Sequence, residues 1–119
     1  MYEKKINIFV FVFSQLHIHF LRRSRRKNVL VFLREENKVC LIASKGGSPS
    51  NPGWYYNLKK NPNCIVQIGS KKYSAVADEV FDSEREEWWL KMDYLNNGGY
   101  TAYQKRTNRV IPVLVLKIS

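Results

Sequence analysis

Between an apolar run ending Leu41-Ile42-Ala43 and a proline at Pro62, the chain reads Ser44-Lys45-Gly46-Gly47-Ser48-Pro49-Ser50-Asn51-Pro52-Gly53-Trp54-Tyr55-Tyr56-Asn57-Leu58. A cation beside two glycines is the composition of an anion nest, because glycine takes φ > 0 freely and leaves backbone N–H groups unshielded. The segment then turns helical. Ser50 or Asn51 is the expected N-cap, Pro52 sits in the first turn where its missing N–H is harmless, and Pro62 forces the end. A helix start adds unpaired N–H groups and the positive end of its dipole, so a phosphate-type group is the ligand this junction suits. Trp54, Asn57 and Leu58 fall at i, i+3 and i+4, which puts a flat ring, an amide and an apolar side chain on one face and suits a planar polar ligand. Taken by itself, the stretch reads equally as a glycine loop feeding a core helix. A second constellation is Tyr100 and Tyr103, two phenols on one face of a short helix over 100–107. Tyrosines also pack commonly with the ring buried and the hydroxyl wet.

The elements that must position these residues are legible from Val29 onward. Apolar runs at 29–33 and 38–43 flank Arg34-Glu35-Glu36-Asn37, a polar connection of hairpin length. A second hairpin pairs 64–68 with the alternating run 72–80 across Gly69-Ser70-Lys71. Ser83-Glu84-Arg85-Glu86 has the form of a capping box, and Trp88, Met92 and Leu95 make one apolar stripe on the helix it opens. Tryptophans at that spacing are expected in the core rather than on a cofactor. Asn96-Asn97-Gly98-Gly99 ends the helix. A nearly continuous apolar strand over 111–118 closes the chain, with Pro112 at its start where a lost ladder bond is tolerable.

Ser44-Lys45-Gly46-Gly47-x-Pro-x-x-Pro-x-Trp-Tyr-x-Asn-Leu, followed by Gly-Tyr-Thr-Ala-Tyr-Gln-Lys-Arg-Thr-Asn-Arg-Val-Ile-Pro-Val, closely resembles the deazaflavin-dependent nitroreductase family from about Val29 to the C-terminus. The resemblance implies an α+β fold: a split β-barrel of mainly antiparallel strands, related to FMN-binding proteins, with covering helices. It implies reduced coenzyme F420 as hydride donor, with FMN the less favoured flavin, and a quinone, nitro compound or similar small electron-poor acceptor. It places Ser44, Lys45, Gly46, Gly47, Pro52 and Asn57 along the coenzyme, and Trp54, Tyr100 and Tyr103 towards the acceptor, with Ser44 or Tyr103 as the proton donor. Family members usually carry Gly-Arg-Lys-Ser-Gly-Lys-x-Arg to hold the coenzyme's phosphate and acidic tail. This chain keeps Arg22, Arg23 and Ser24 there and has neither glycine. Tyr56 stands where the family commonly has histidine.

With 119 residues, 45% hydrophobic, the chain has apolar material for one core, so 1–119 is expected to form a single domain with a divergent segment over 1–28. A net charge of +10 favours an anionic partner, which charge alone leaves as a cofactor phosphate, a nucleic acid or an acidic membrane surface. The aromatics sit in the two motifs, while the densest cation run, Arg22 to Lys27, lies elsewhere. They do not interleave as a stacking channel would, so nucleic acid is not the expected partner. A non-catalytic basic protein binding nucleic acid or anionic lipid is the alternative function class. Cys40 and Cys64 lie in apolar strand-like runs without metal-ligand spacing and read as buried free thiols in a reducing compartment. The apolar run 6–13 is far shorter than the ~20 residues of a spanning helix and lacks a cleavage pattern after it, so a strand is expected. His17 and His19 alternate with Ile18 and Phe20, and without a third ligand they read as solvent-facing strand residues. A cytoplasmic location follows, with peripheral membrane contact compatible with the charge.

Overall fold

The computed structural model describes residues 7–12, 26–68 and 70–119; the cation-rich residues 22–25 and both histidines lie outside the described residues. Seven strands form one sheet in the order β2-β1-β5-β6-β7-β4-β3. They are β1 (Asn7–Val12), β2 (Arg26–Val31), β3 (Leu33–Glu35), β4 (Lys38–Ile42), β5 (Asn63–Ile68), β6 (Lys71–Val80) and β7 (Val113–Ile118). Every neighbouring pair is antiparallel.

The strand expected over 29–33 is divided at Phe32, and that division shapes the molecule. β2 pairs with β1 up to Val31↔Asn7, and β3 pairs with β4 from Leu33↔Cys40. These two strands are opposite edges of the sheet, yet a single residue joins them. A sheet whose edges are connected by one residue has to curl until the edges meet, so the result is a split barrel. Phe32, fully buried, fills the closure. β6 supplies the other half of the split: its first residues pair with β5 and its last with β7, so one long strand spans both halves.

Side-chain alternation sends β4 and β7 into two cores at once. Val39, Leu41, Leu114 and Leu116 point into the barrel interior with Phe32, Trp54 and Leu58. Cys40, Ile42, Val113 and Val115 face outward against Trp88, Trp89, Met92 and Tyr100. Both faces being covered is why 113–116 reads as an unbroken apolar run.

Among the described residues, three α-helices cover this frame: α1 (Gly53–Lys60), α2 (Asp82–Leu95) and α3 (Gly99–Gln104). Two expected caps do not form. Pro52 itself occupies the N-cap of α1 in extended geometry, without a side-chain capping bond. Asn51 is diverted instead to accept a hydrogen bond from Arg109. On α2 the helix begins at Asp82, straight after the extended Phe81, so Ser83 lies inside it and the capping box is absent. The helix ends behave as the sequence implies: α1 stops at Asn61 before Pro62, and α2 unwinds through left-handed Asn97 and Gly98. Among the described residues, no helix is long and apolar enough to cross a membrane.

Candidate functional site

The residues that follow β4 make a turn of unusual handedness. Ala43 donates to the Pro112 carbonyl at 3.0 Å, carrying the chain one residue past the strand. Ser44 is then right-handed (φ −79°, ψ −40°), whereas Lys45, Gly46 and Gly47 take φ of 46°, 64° and 84°. A right-handed residue followed by left-handed ones is the geometry of an anion-binding concavity. The turn is closed by Gly47 N–H to Ser44 O (2.9 Å) and Ser48 N–H to Lys45 O (3.1 Å). Among the described residues, the Lys45 and Gly46 N–H groups find no carbonyl partner. Placing lysine rather than glycine at positive φ costs about 1 kcal/mol or more. The Lys45 Nζ reaches only the Ser50 hydroxyl, at 3.4 Å, and no carboxylate among the described residues pairs with it.

This turn is one wall of a cavity of about 430 Å³. Ser44, Lys45, Gly46 and Pro52 line it on the loop side; Trp54 from α1, with Tyr100 and Tyr103 from α3, close it. Ser44 is 9% exposed, and its hydroxyl has no hydrogen-bond partner among the described residues. A buried polar group without a partner is costly unless a ligand or water satisfies it. Val31, Leu41 and Ile42 add an apolar wall, and Asn96 an amide, none of which the motifs had pointed to.

Two expected residues are not in the lining. Trp54 and Leu58 define the buried stripe of α1, and Asn57, half-buried, stays outside the cavity. Gly47 lies behind the turn: a Cβ there would meet the Tyr103 carbonyl oxygen at 2.7 Å and Arg106 Cβ at 3.0 Å. Its role in the geometry is close approach between loop and α3. Tyr56 is exposed and absent from the lining.

The phenols are held in place by α2. The Asp93 carboxylate accepts from the Thr101 N–H (3.0 Å) and from the Thr101 hydroxyl, and Trp89 Nε1–H donates to that same hydroxyl at 3.2 Å. Tyr100 and Tyr103 meet edge to face at 6.1 Å between centroids. Burial, aided by the nearby Cys40, Tyr103 and Asp93, pushes the Tyr100 pKa up to about 12, so its hydroxyl is a proton-bearing donor at neutral pH. The assembled site gathers backbone donors and a cation from the turn, aromatic and apolar side chains, and hydroxyl-bearing residues from two elements on one cavity. Such a site can hold a planar ring bearing an anionic group and donate to an oxygen that gains charge.

Comparison with known proteins gives a consistent answer. The family model described as F420H(2)-dependent quinone reductase matches residues 22–117. An F420H(2)-dependent quinone reductase of Mycobacterium tuberculosis is 40% identical over 93 residues, which are 76% of this chain and 62% of that protein. The chain therefore spans less than two thirds of that relative's length. A solved F420-H2 dependent reductase superposes with a TM-score of 0.79 at 32% identity, covering 93% of each chain. A solved domain-swapped dimer superposes with a TM-score of 0.81 at 31% identity, covering 97% of this chain and 82% of that one. With the turn, the tryptophan and the paired tyrosines gathered on one cavity of a split barrel, and the family model matching most of its length, this chain belongs to the F420H(2)-dependent quinone reductase family.

Proposed function

We propose that this chain binds reduced coenzyme F420 in the cavity and reduces a quinone there, acting as one domain. The observation that carries the reading is the buried Ser44 hydroxyl, without a partner among the described residues, beside a turn that presents N–H groups and Lys45 to the same space as Trp54 and two phenols. F420, when bound, supplies hydride from a deazaflavin ring that also bears a phosphate and an acidic tail. The residues present fit such a group. Lys45 and the N–H groups of the turn, which have no carbonyl partner among the described residues, hold anionic oxygen, Pro52 bounds the ring slot, Trp54 lies towards the acceptor, and Val31, Leu41 and Ile42 keep water from the ring. Tyr100 and Tyr103 face the acceptor, whose oxygen gains negative charge as hydride arrives. A hydroxyl within hydrogen-bond reach stabilises that charge and delivers a proton, the role assigned to Ser44 or Tyr103. Arg22, Arg23 and Ser24 are assigned to the coenzyme's acidic tail on the strength of their place in the motif. Nitro compounds share the electron-poor character of quinones and are included as acceptors.

The test is equilibrium titration of the purified chain with F420, FMN and an oligonucleotide at one salt concentration, followed by anaerobic assay with menadione. F420 is expected to bind in preference to FMN and to be oxidised on adding the quinone. Binding of the oligonucleotide but not F420 would overturn the reading in favour of a basic binding protein.

A further inference from the structure

We infer that Arg109 is a positioning residue for coenzyme binding: its guanidinium holds the 43–51 loop in the shape that offers the Ser44–Gly46 turn to the cavity. The identity of the bound group rests on the F420 reading above. Arg109 is absent from the cavity lining, so it acts through the loop rather than by touch. Its three nitrogens are all engaged with that loop. Nε donates to Ser48 O at 2.9 Å, one terminal nitrogen to Ser44 O at 2.8 Å, and the other to Ala43 O at 3.3 Å and to Asn51 Oδ1. These partners lie 58 to 66 residues earlier in the chain.

The consequence for the turn follows from peptide geometry. In a planar trans peptide, C=O and N–H point in opposite directions. Drawing the Ser44 carbonyl towards Arg109 therefore turns the Lys45 N–H the other way, where it meets no carbonyl among the described residues. The base of the side chain is fixed too: Gln104 Nε2 donates to the Arg109 carbonyl at 2.7 Å, and Gln104 Oε1 accepts from Ile111 N–H at 3.0 Å. Arg109 thus ties the coenzyme loop to α3, which carries both tyrosines. Lysine cannot substitute, because one ammonium nitrogen lacks the planar fork needed to reach four acceptors spread along a loop.

The experiment uses the full chain as Arg109→Lys and Arg109→Gln, read in two ways. Hydrogen–deuterium exchange of the apo protein compares peptides covering 44–51 with those of β6 and β7. The loop is expected to exchange at least tenfold faster in both variants with the strands unchanged. F420 titration is expected to show at least a tenfold loss of affinity in both, and a loss in the lysine variant as large as in the glutamine variant assigns the effect to geometry rather than charge. Loop exchange at the wild-type rate, equal acceleration of loop and strands, or F420 affinity within twofold of wild type would each overturn the inference. Should neither variant fold, Asn51→Ala keeps the guanidinium and removes one partner; a smaller acceleration confined to the loop supports the inference, and wild-type exchange overturns it. If wild-type protein binds no F420, the proposed function fails, while the exchange comparison still decides what Arg109 does to the loop.

Discussion

Two adjacent glycines in the turn should respond very differently to the same added methyl group. Gly46 and Gly47 both have positive φ, 64° and 84°, so alanine at either carries a backbone penalty of about 1–2 kcal/mol. Alanine also restricts the unfolded chain, which offsets about 0.4–1 kcal/mol at both sites and cancels in the comparison. The surroundings do not cancel. A Cβ on Gly46 meets nothing within 4 Å, whereas on Gly47 it meets the Tyr103 carbonyl oxygen at 2.7 Å and Arg106 Cβ and Cδ at 3.0 and 3.1 Å. The closest of these atoms is backbone in α3, already accepting from Arg106 N–H at 3.0 Å, so it cannot rotate aside. Overpacking of that kind adds about 1–3 kcal/mol. Gly46→Ala should therefore cost roughly 1 kcal/mol and Gly47→Ala roughly 2–4 kcal/mol, measured by urea unfolding. Because relief requires α3 to shift, Gly47→Ala should also move Tyr103 and slow quinone reduction beyond its effect on F420 affinity. Equal stability losses in the two variants would refute the close packing of the turn on α3.

Other expectations concern the site's charges and protons. Lys45→Ala should weaken F420 binding by about 1.5–3 kcal/mol, tenfold to more than a hundredfold by titration, and unchanged affinity would remove its role. Tyr103→Phe should lower turnover of menadione more than F420 affinity, with Ser44→Ala assayed beside it; wild-type rates in both variants would exclude them as proton donors. Replacing Arg22, Arg23 and Arg25 with glutamine should weaken F420 and flatten the salt dependence of its binding, whereas a wild-type salt slope would make the run a surface feature. Burial raises the Tyr100 pKa from 10.0 and the Cys64 pKa from 9.0, each to about 12. Folded values above unfolded ones mean that this stability is fully present below about pH 9 and is lost as pH rises to about 12, of order 2–3 kcal/mol from Tyr100 alone. A midpoint of urea unfolding that stays flat from pH 8 to 11 would contradict it.

What the sequence determined by itself is local in origin. Gly46 and Gly47 imply a left-handed turn wherever they sit, Pro62 stops α1 regardless of neighbours, and alternation over 72–80 gives a strand from side-chain geometry alone. Ser44, Lys45, Gly46, Pro52 and Trp54 reach one cavity because all five lie within eleven consecutive residues of one strand–turn–helix. What crosses the chain was decided only by tertiary structure. The break at Phe32 exists because the barrel must close there, a condition set by strands far away in sequence. Asn96, legible as part of a helix stop, lines the cavity only because α2 packs on the outer face of β4 and β7. Asn57 shares a helical face with Trp54 on a wheel, but the Trp54–Leu58 stripe sets the rotation of α1 and leaves it outside. Arg109 stood in the second motif without a partner to give it meaning. Its acceptors are the loop's main-chain carbonyls and one amide, and since every residue but proline offers the same C=O and N–H, only the folded chain shows which of them a distant guanidinium meets.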